Sequence, residues 1–192
     1  MRTLLTLLSI LAFAAQPLCA APIAGTALNY QVDSAKSWFR VITPADTSWE
    51  FILGTKDLAY FGAVAERIYV SKEDMMSIVR TNFESKLLNP VWTKSTWETI
   101  DKRNWVSIGV EGSSDGHQLT YHIWIYSGPE GSYQLVGWTQ TGDFSSFLPN
   151  ITSMAHSFKF GDNPALPLST LTPPDVPAGT RSVPTVPDSA SQ

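Results

Sequence analysis

The amino-acid sequence predicts an α+β fold, an antiparallel β-sheet covered by helices. Three observations carry that expectation. Residues 105–139 read as three consecutive strands, 105–111, 118–126 and 133–139, separated by two clusters of turn residues, Gly112-Ser113-Ser114-Asp115-Gly116 and Gly128-Pro129-Glu130-Gly131. Residues 71–88 place Met75, Met76, Val79, Phe83 and Leu87 at helical spacing. Residues 143–158 repeat that spacing with Phe144, Phe147, Leu148, Ile151 and Met154. A meander with apolar faces needs cover, and amphipathic helices on either side of it in the sequence supply that cover.

The elements follow in order. Residues 1–20 read as a signal peptide: Arg2, an apolar run from Leu4 to Ala15, a break at Gln16-Pro17 and small residues at Cys19-Ala20. Cleavage is expected after Ala20, because a cut after Ala21 would put Pro22 at the scissile bond. The apolar run is shorter than the ~20 residues that cross a bilayer. The mature chain is therefore expected to lack a transmembrane segment and to be periplasmic or secreted. Lipidation of Cys19 is the lesser alternative, since Leu18 makes a poor lipobox.

Residues 38–42 and 49–53 are strand-like around Thr43-Pro44-Ala45-Asp46, where Pro44 fixes φ. Residues 59–70 form a further strand with an irregularity expected at Gly62. Ser71, with Asp74 three residues on, caps the first helix, and Asn89-Pro90 ends it. Residues 91–100 read as one strand carrying Trp92 and Trp97, and Asp101-Lys102-Arg103-Asn104 as a polar turn. Asp143 is the expected cap of the second helix, which Pro149 should kink or split. Residues 157–160 read as a closing strand. The folded domain is thus expected over residues 21–160. Beyond it, residues 161–192 read as a disordered Pro-rich tail, either a spacer, a polyproline-type docking segment or a solvated end.

On the meander, side chains alternate between faces. Val106, Ile108 and Val110 share one face of their strand, and Leu119, Tyr121, Ile123 and Ile125 one face of theirs. The other face is aromatic and polar, with Trp105, His122, Trp124 and Tyr126, and Trp138 is assigned to it as well. These five residues are the candidate binding site. Aromatic rings beside polar groups suit a protein, peptide or glycan; the competing account makes them large core residues beneath helices.

The order of elements resembles the PsbP-like α/β/α sandwich superfamily, which includes bacterial envelope relatives such as the DcrB group. Trp38-Phe39-Arg40-Val41 followed by Pro44 and Trp49, Ser71-Lys72-Glu73-Asp74-Met75, Tyr133-Gln134-Leu135-Val136-Gly137 with Phe144, and Ser157-Phe158-Lys159-Phe160 carry the likeness over about residues 29–160. The resemblance implies a non-enzymatic accessory or binding module and transfers no site residue.

Several function classes are disfavoured by what is missing. Net charge is −4 with no basic run, which argues against nucleic acid as a partner. Cys19, inside the leader, is the single cysteine, so thiol chemistry is not expected of the mature protein. His117, His122 and His156 lack metal-ligand spacing, no nucleophile elbow or phosphate loop occurs, and no catalytic residue, metal or cofactor is assigned. The expected function is that of an exported accessory protein with a protein partner in the cell envelope. A small-molecule or glycan-binding protein, and a weakly marked hydrolase built from His122, Asp143 and a serine, are the alternatives.

Overall fold

The computed structural model describes residues 22–41 and 48–169. The leader, the turn around Pro44 and residues 170–192 lie outside the described residues. The elements are β1 (Pro22–Ala24), β2 (Tyr30–Asp33), β3 (Phe39–Val41), β4 (Trp49–Gly54), β5 (Tyr60–Glu66), α1 (Lys72–Glu84), β6 (Leu88–Trp92), β7 (Thr96–Ile100), β8 (Arg103–Ser114), β9 (His117–Gly128), β10 (Gly131–Gln140), α2 (Phe144–His156) and β11 (Lys159–Phe160).

The meander is the centre of an eight-stranded antiparallel sheet in the order β3-β4-β5-β10-β9-β8-β6, with β7 also on β8. Two short turns fix its register. Ser114 pairs with His117 across Asp115-Gly116, whose φ values of 50° and 80° suit a two-residue hairpin turn. Gly128 pairs with Gly131 across Pro129-Glu130. A third tight turn joins β7 to β8 through Asp101-Lys102, both at positive φ. A smaller sheet, β1-β2-β11, lies apart from the large one. Its strands β1 and β2 fall in a stretch for which no strand is expected from residue pattern.

Each face of the large sheet buries its own core. On one face Met75, Val79 and Phe83 of α1 meet Val106, Ile108, Val110, Tyr121, Ile123 and Trp138. On the other, Ile151, Met154 and Ala155 of α2, with Tyr30, Val32 and Phe158 from beside the small sheet, meet Trp105, Trp124, Tyr126 and Leu135. The result is an α/β/α sandwich, as expected. Two glycines permit close approaches on the large sheet: a Cβ on Gly137 would come 2.1 Å from Ile151 Cγ2 of α2, and one on Gly62 would come 2.8 Å from the Trp49 ring.

Several local expectations need correction. Gly62 lies in regular pairing; the irregularity falls in β4, between Trp49 and Phe51. Residues 91–100 are divided between two strands, with β6 ending at Trp92 and β7 starting at Thr96, and the two pair with different stretches of β8. The first helix ends at Glu84, and Leu88 already belongs to β6. Ser71 does cap α1, accepting from Asp74 N–H at 3.0 Å. Asp143 makes no such side-chain bond, and α2 runs unbroken through Pro149. Pro149 is the sixth residue of α2, so it removes one N–H from the ladder without splitting the helix in two. Residues 161–169 run along the domain: Asn163 Oδ1 accepts from Asn29 N–H at 2.8 Å, Leu166 N–H donates to Pro129 O at 2.8 Å and Ser169 N–H to Tyr69 O at 2.6 Å.

Candidate functional site

The five aromatic-face candidates do not form one surface. Trp105 and Trp124 are 0% exposed, Trp138 is 1% and Tyr126 7%. Trp105 stacks within a cage of Tyr126, Tyr133, Phe158 and Phe160 at centroid distances of 5.0 to 6.3 Å. Trp138 points to the opposite face. It pairs with Tyr121 across the β9–β10 hairpin and packs with Tyr60, Tyr121 and Trp49 on the α1 side. The register set by the Pro129-Glu130 turn makes this unavoidable, since directly opposed residues share a face. A pocket lined jointly by Trp124, Trp138 and His122 is therefore excluded.

His122 is the candidate that keeps a polar setting. It is half-buried and lies flat on Trp124, with ring centroids 4.3 Å apart. Its Nε2 is 2.7 Å from Ser107 Oγ on β8, one diagonal step away because Ser107 pairs with Trp124 and Gly109 with His122. Glu98 of β7 completes the cluster. Its Oε2 accepts from Trp124 Nε1 at 3.0 Å and lies 2.9 Å from His156 Nε2, at the end of α2. Burial pushes the Glu98 carboxyl upward, but hydrogen bonds from His156, Ser107 and Trp124 outweigh it and hold the group below the usual carboxylate value. Burial pushes His122 down, against an upward pull from Glu98, so the imidazole favours its neutral form.

The cluster has parts of a nucleophile–base pair, yet its geometry serves structure. Ser107 is 2% exposed, so its hydroxyl offers no face to a substrate. The carboxylate bonds Trp124 and His156 and acts on Ser107, whereas a catalytic acid would orient the far nitrogen of His122. Asp143, at the start of α2, is separated from His156 at its end by a whole helix, about 20 Å. What the network does is tie α2 to β7 through the contact of exposed His156 with partly buried Glu98, which Trp124 also bonds. Sequence reasoning missed Glu98 and Ser107. The register of the Asp115-Gly116 hairpin was the available signal for Ser107 beside His122; nothing in the sequence marked Glu98.

The exposed apolar side chains lie elsewhere. Of five exposed large hydrophobic residues among the described residues, three sit on the edge made by β6 and β7: Leu88 at 70%, Val91 at 67% and Trp97 at 62%. Trp97 pairs with Val106 and so flanks α1, where Lys72 Nζ lies 4.7 Å above its ring and Met76 and Asn104 line a shallow groove beside it. Val91 pairs with Glu111 and Leu88 with Ser113, on the opposite side of the same edge. No group of His, Cys, Asp and Glu among the described residues is arranged to hold a metal ion. No helix among them is long and apolar enough to cross a membrane.

These layers define a helix-covered antiparallel sandwich, and solved structures give it a more particular form. Cyanobacterial PsbP (CyanoP) from Synechocystis sp. PCC 6803 is similar at 10% identity, over 77% of this chain and 96% of that one, with a TM-score of 0.52. LpqN of Mycobacterium tuberculosis, involved in cell envelope biogenesis, is similar at 9% identity, over 72% of this chain and 88% of that one, with a TM-score of 0.50. A Bacteroides thetaiotaomicron VPI-5482 protein is similar at 12% identity over 69% of this chain, with a TM-score of 0.49, and this chain spans 45% of its length. No protein-family model matches the chain, and no curated protein matches it. The fold is the PsbP-like α/β/α sandwich, in agreement with the resemblance read from the sequence.

Proposed function

We propose that the protein is an exported, non-enzymatic accessory protein of the cell envelope that holds a protein partner at the free β6–β7 edge. One observation carries this reading: Leu88 and Val91 on one side of that edge and Trp97 on the other stand exposed, while Trp105, Trp124 and Trp138 are buried. An open strand edge that carries exposed apolar side chains is a template on which another chain can pair. The leader read in residues 1–20 supports export, and the fold shared with an envelope-biogenesis protein points the same way. Partner capture from envelope extract tests it. The wild type should retain a partner that Val91→Glu and Trp97→Ala both lose, with melting temperatures within a few degrees of wild type. Retention by both variants removes the edge from the reading. N-terminal sequencing of the exported form should begin at Ala21.

A second reading has one observation in its favour, the 2.7 Å contact between Ser107 Oγ and a largely neutral His122. Labelling by a serine-directed fluorophosphonate, lost in Ser107→Ala, would install it in place of the first.

A further inference from the structure

The α1 side of the β6–β7 edge carries two cations, each laid on a tryptophan. Lys72 Nζ is 4.7 Å from the ring centroid of Trp97, and the Arg80 guanidinium carbon is 4.7 Å from that of Trp92. An edge-to-face contact with Phe83, centroids 5.9 Å apart, holds Trp92 against α1. The two contacts share one spacing. Lys72 and Arg80 are eight residues apart on α1, about 12 Å along the helix axis. Trp97 pairs with Val106 and Trp92 with Val110, four residues apart on β8, about 13 Å along the strand. So α1 runs along the edge, and half-buried Met76 lies midway between the two cations.

This side of the edge is basic although the chain carries a net charge of −4. Neither Lys72 nor Arg80 is within ion-pair distance of a carboxylate among the described residues. Glu98 pairs with Trp105 and Glu111 with Val91, which puts both carboxylates on the opposite face of the sheet. Glu73 and Glu84 are exposed farther round α1. Lys94, exposed in the segment that joins β6 to β7, adds a third basic group at the edge. A ring beneath a cation attracts its charge but accepts few of its N–H groups in line. The remaining donors of the ammonium and the guanidinium suit carboxylates, which the guanidinium can bind through two bonds at once.

We propose that the partner segment held at this edge is extended and acidic, with carboxylates at positions i and i+4 on Arg80 and Lys72 and an apolar residue at i+2 against Met76. In an extended chain these three positions share a face, and i and i+4 are about 13 Å apart, which matches the spacing of the two cation–ring contacts. A helical segment would bring i and i+4 to about 6 Å, half of that spacing. The inference deepens the accessory reading and rests on it for the source of the segment; the chemistry is measured with a synthetic peptide.

The probe is the capped peptide Thr-Glu-Thr-Leu-Thr-Glu-Thr, titrated into the 15N-labelled chain. The indole N–H resonances of Trp97 and Trp92 are the detectors, identified by their loss in Trp97→Phe and Trp92→Phe. Both should shift along one saturation curve. A peptide with Lys in place of both Glu should bind more weakly by about tenfold or more, as should one with an added Thr that moves the second Glu to i+5 and so to the other face. Lys72→Glu with Arg80→Glu should abolish binding of the acidic peptide. The milder Lys72→Gln with Arg80→Gln should weaken it by about tenfold or more while the spectrum stays native. Unmoved indole resonances overturn the proposal, and so does equal binding of the Lys peptide. Equal binding of the i+5 peptide overturns it too, because the attraction would then have no register. Indole shifts that grow with protein concentration alone assign the edge to a second copy and overturn it as well. Partner capture separates this inference from the reading beneath it. A partner lost by Trp97→Ala but kept by Lys72→Glu with Arg80→Glu removes the acidic chemistry alone. A partner kept by both Val91→Glu and Trp97→Ala removes the accessory reading, whatever the peptide does.

Discussion

Trp105 and Trp97 are neighbours in the fold with opposite fates. They sit on adjacent paired strands, Trp97 opposite Val106 and Trp105 opposite Glu98. Trp105 faces the α2 side, is 0% exposed and touches four other aromatic rings. Trp97 faces the α1 side at the margin of the sheet, is 62% exposed and has a lysine for company. One residue of register and one strand of position separate a core residue from a contact residue. The sequence makes Trp105 a candidate and leaves Trp97 out; placement in the fold reverses the two.

The largest expected effect tests the buried member. Trp105→Ala should cost about 3–5 kcal/mol, the range for deleting a large buried side chain. A cost under about 1 kcal/mol, read by urea denaturation, would mean that the ring is not part of the α2-side core. Next is the helix contact that closes the same face. Gly137→Ala puts a methyl 2.1 Å from Ile151 Cγ2, so α2 must shift, at about 1–3 kcal/mol. An unchanged melting temperature would show that α2 does not rest on β10 at that point.

The polar cluster between these regions gives a pH signature. Burial lowers the His122 pKa in the folded protein, so the unfolded chain binds the additional proton. Stability from this group is then fully present above the unfolded value of about 6.5 and is lost as pH falls from there toward the folded value. The slope cannot exceed about 1.4 kcal/mol per pH unit. His122→Gln should flatten the stability profile below about pH 6.5 relative to wild type. Parallel profiles would place His122 in a solvated setting and dissolve the link to Ser107.

The sheet and its helices were legible in the sequence because their signals are local. Alternation in residues 105–139, the Asp115-Gly116 and Pro129-Glu130 turns and the Ser71 cap each need only a few neighbouring residues, and each is present in the structure. What failed was the combination of strands. Placing Trp138 with Trp105 required the hairpin register, which the two-residue turn determines but which side-chain alternation within a single strand does not. Glu98 was invisible for a related reason: its partners His156 and Trp124 are 58 and 26 residues away. Strands β1 and β2 escaped because their sheet is completed by β11, from the far end of the domain.

The smallest expected effect on stability belongs to the exposed member, and it is the most informative about function. Trp97 sits on an edge strand, so Trp97→Ala leaves no enclosed cavity. Its contact with Lys72 is solvent-facing and contributes about 0.5–1 kcal/mol at most. Thermal unfolding should therefore move by only a few degrees, against a far larger shift for Trp105→Ala. A loss as large as that of Trp105→Ala would show that the Trp97 ring is packed in the folded chain. A small effect on stability, joined to a lost partner in Trp97→Ala, is the outcome expected of a side chain held exposed at a strand edge for something outside the domain.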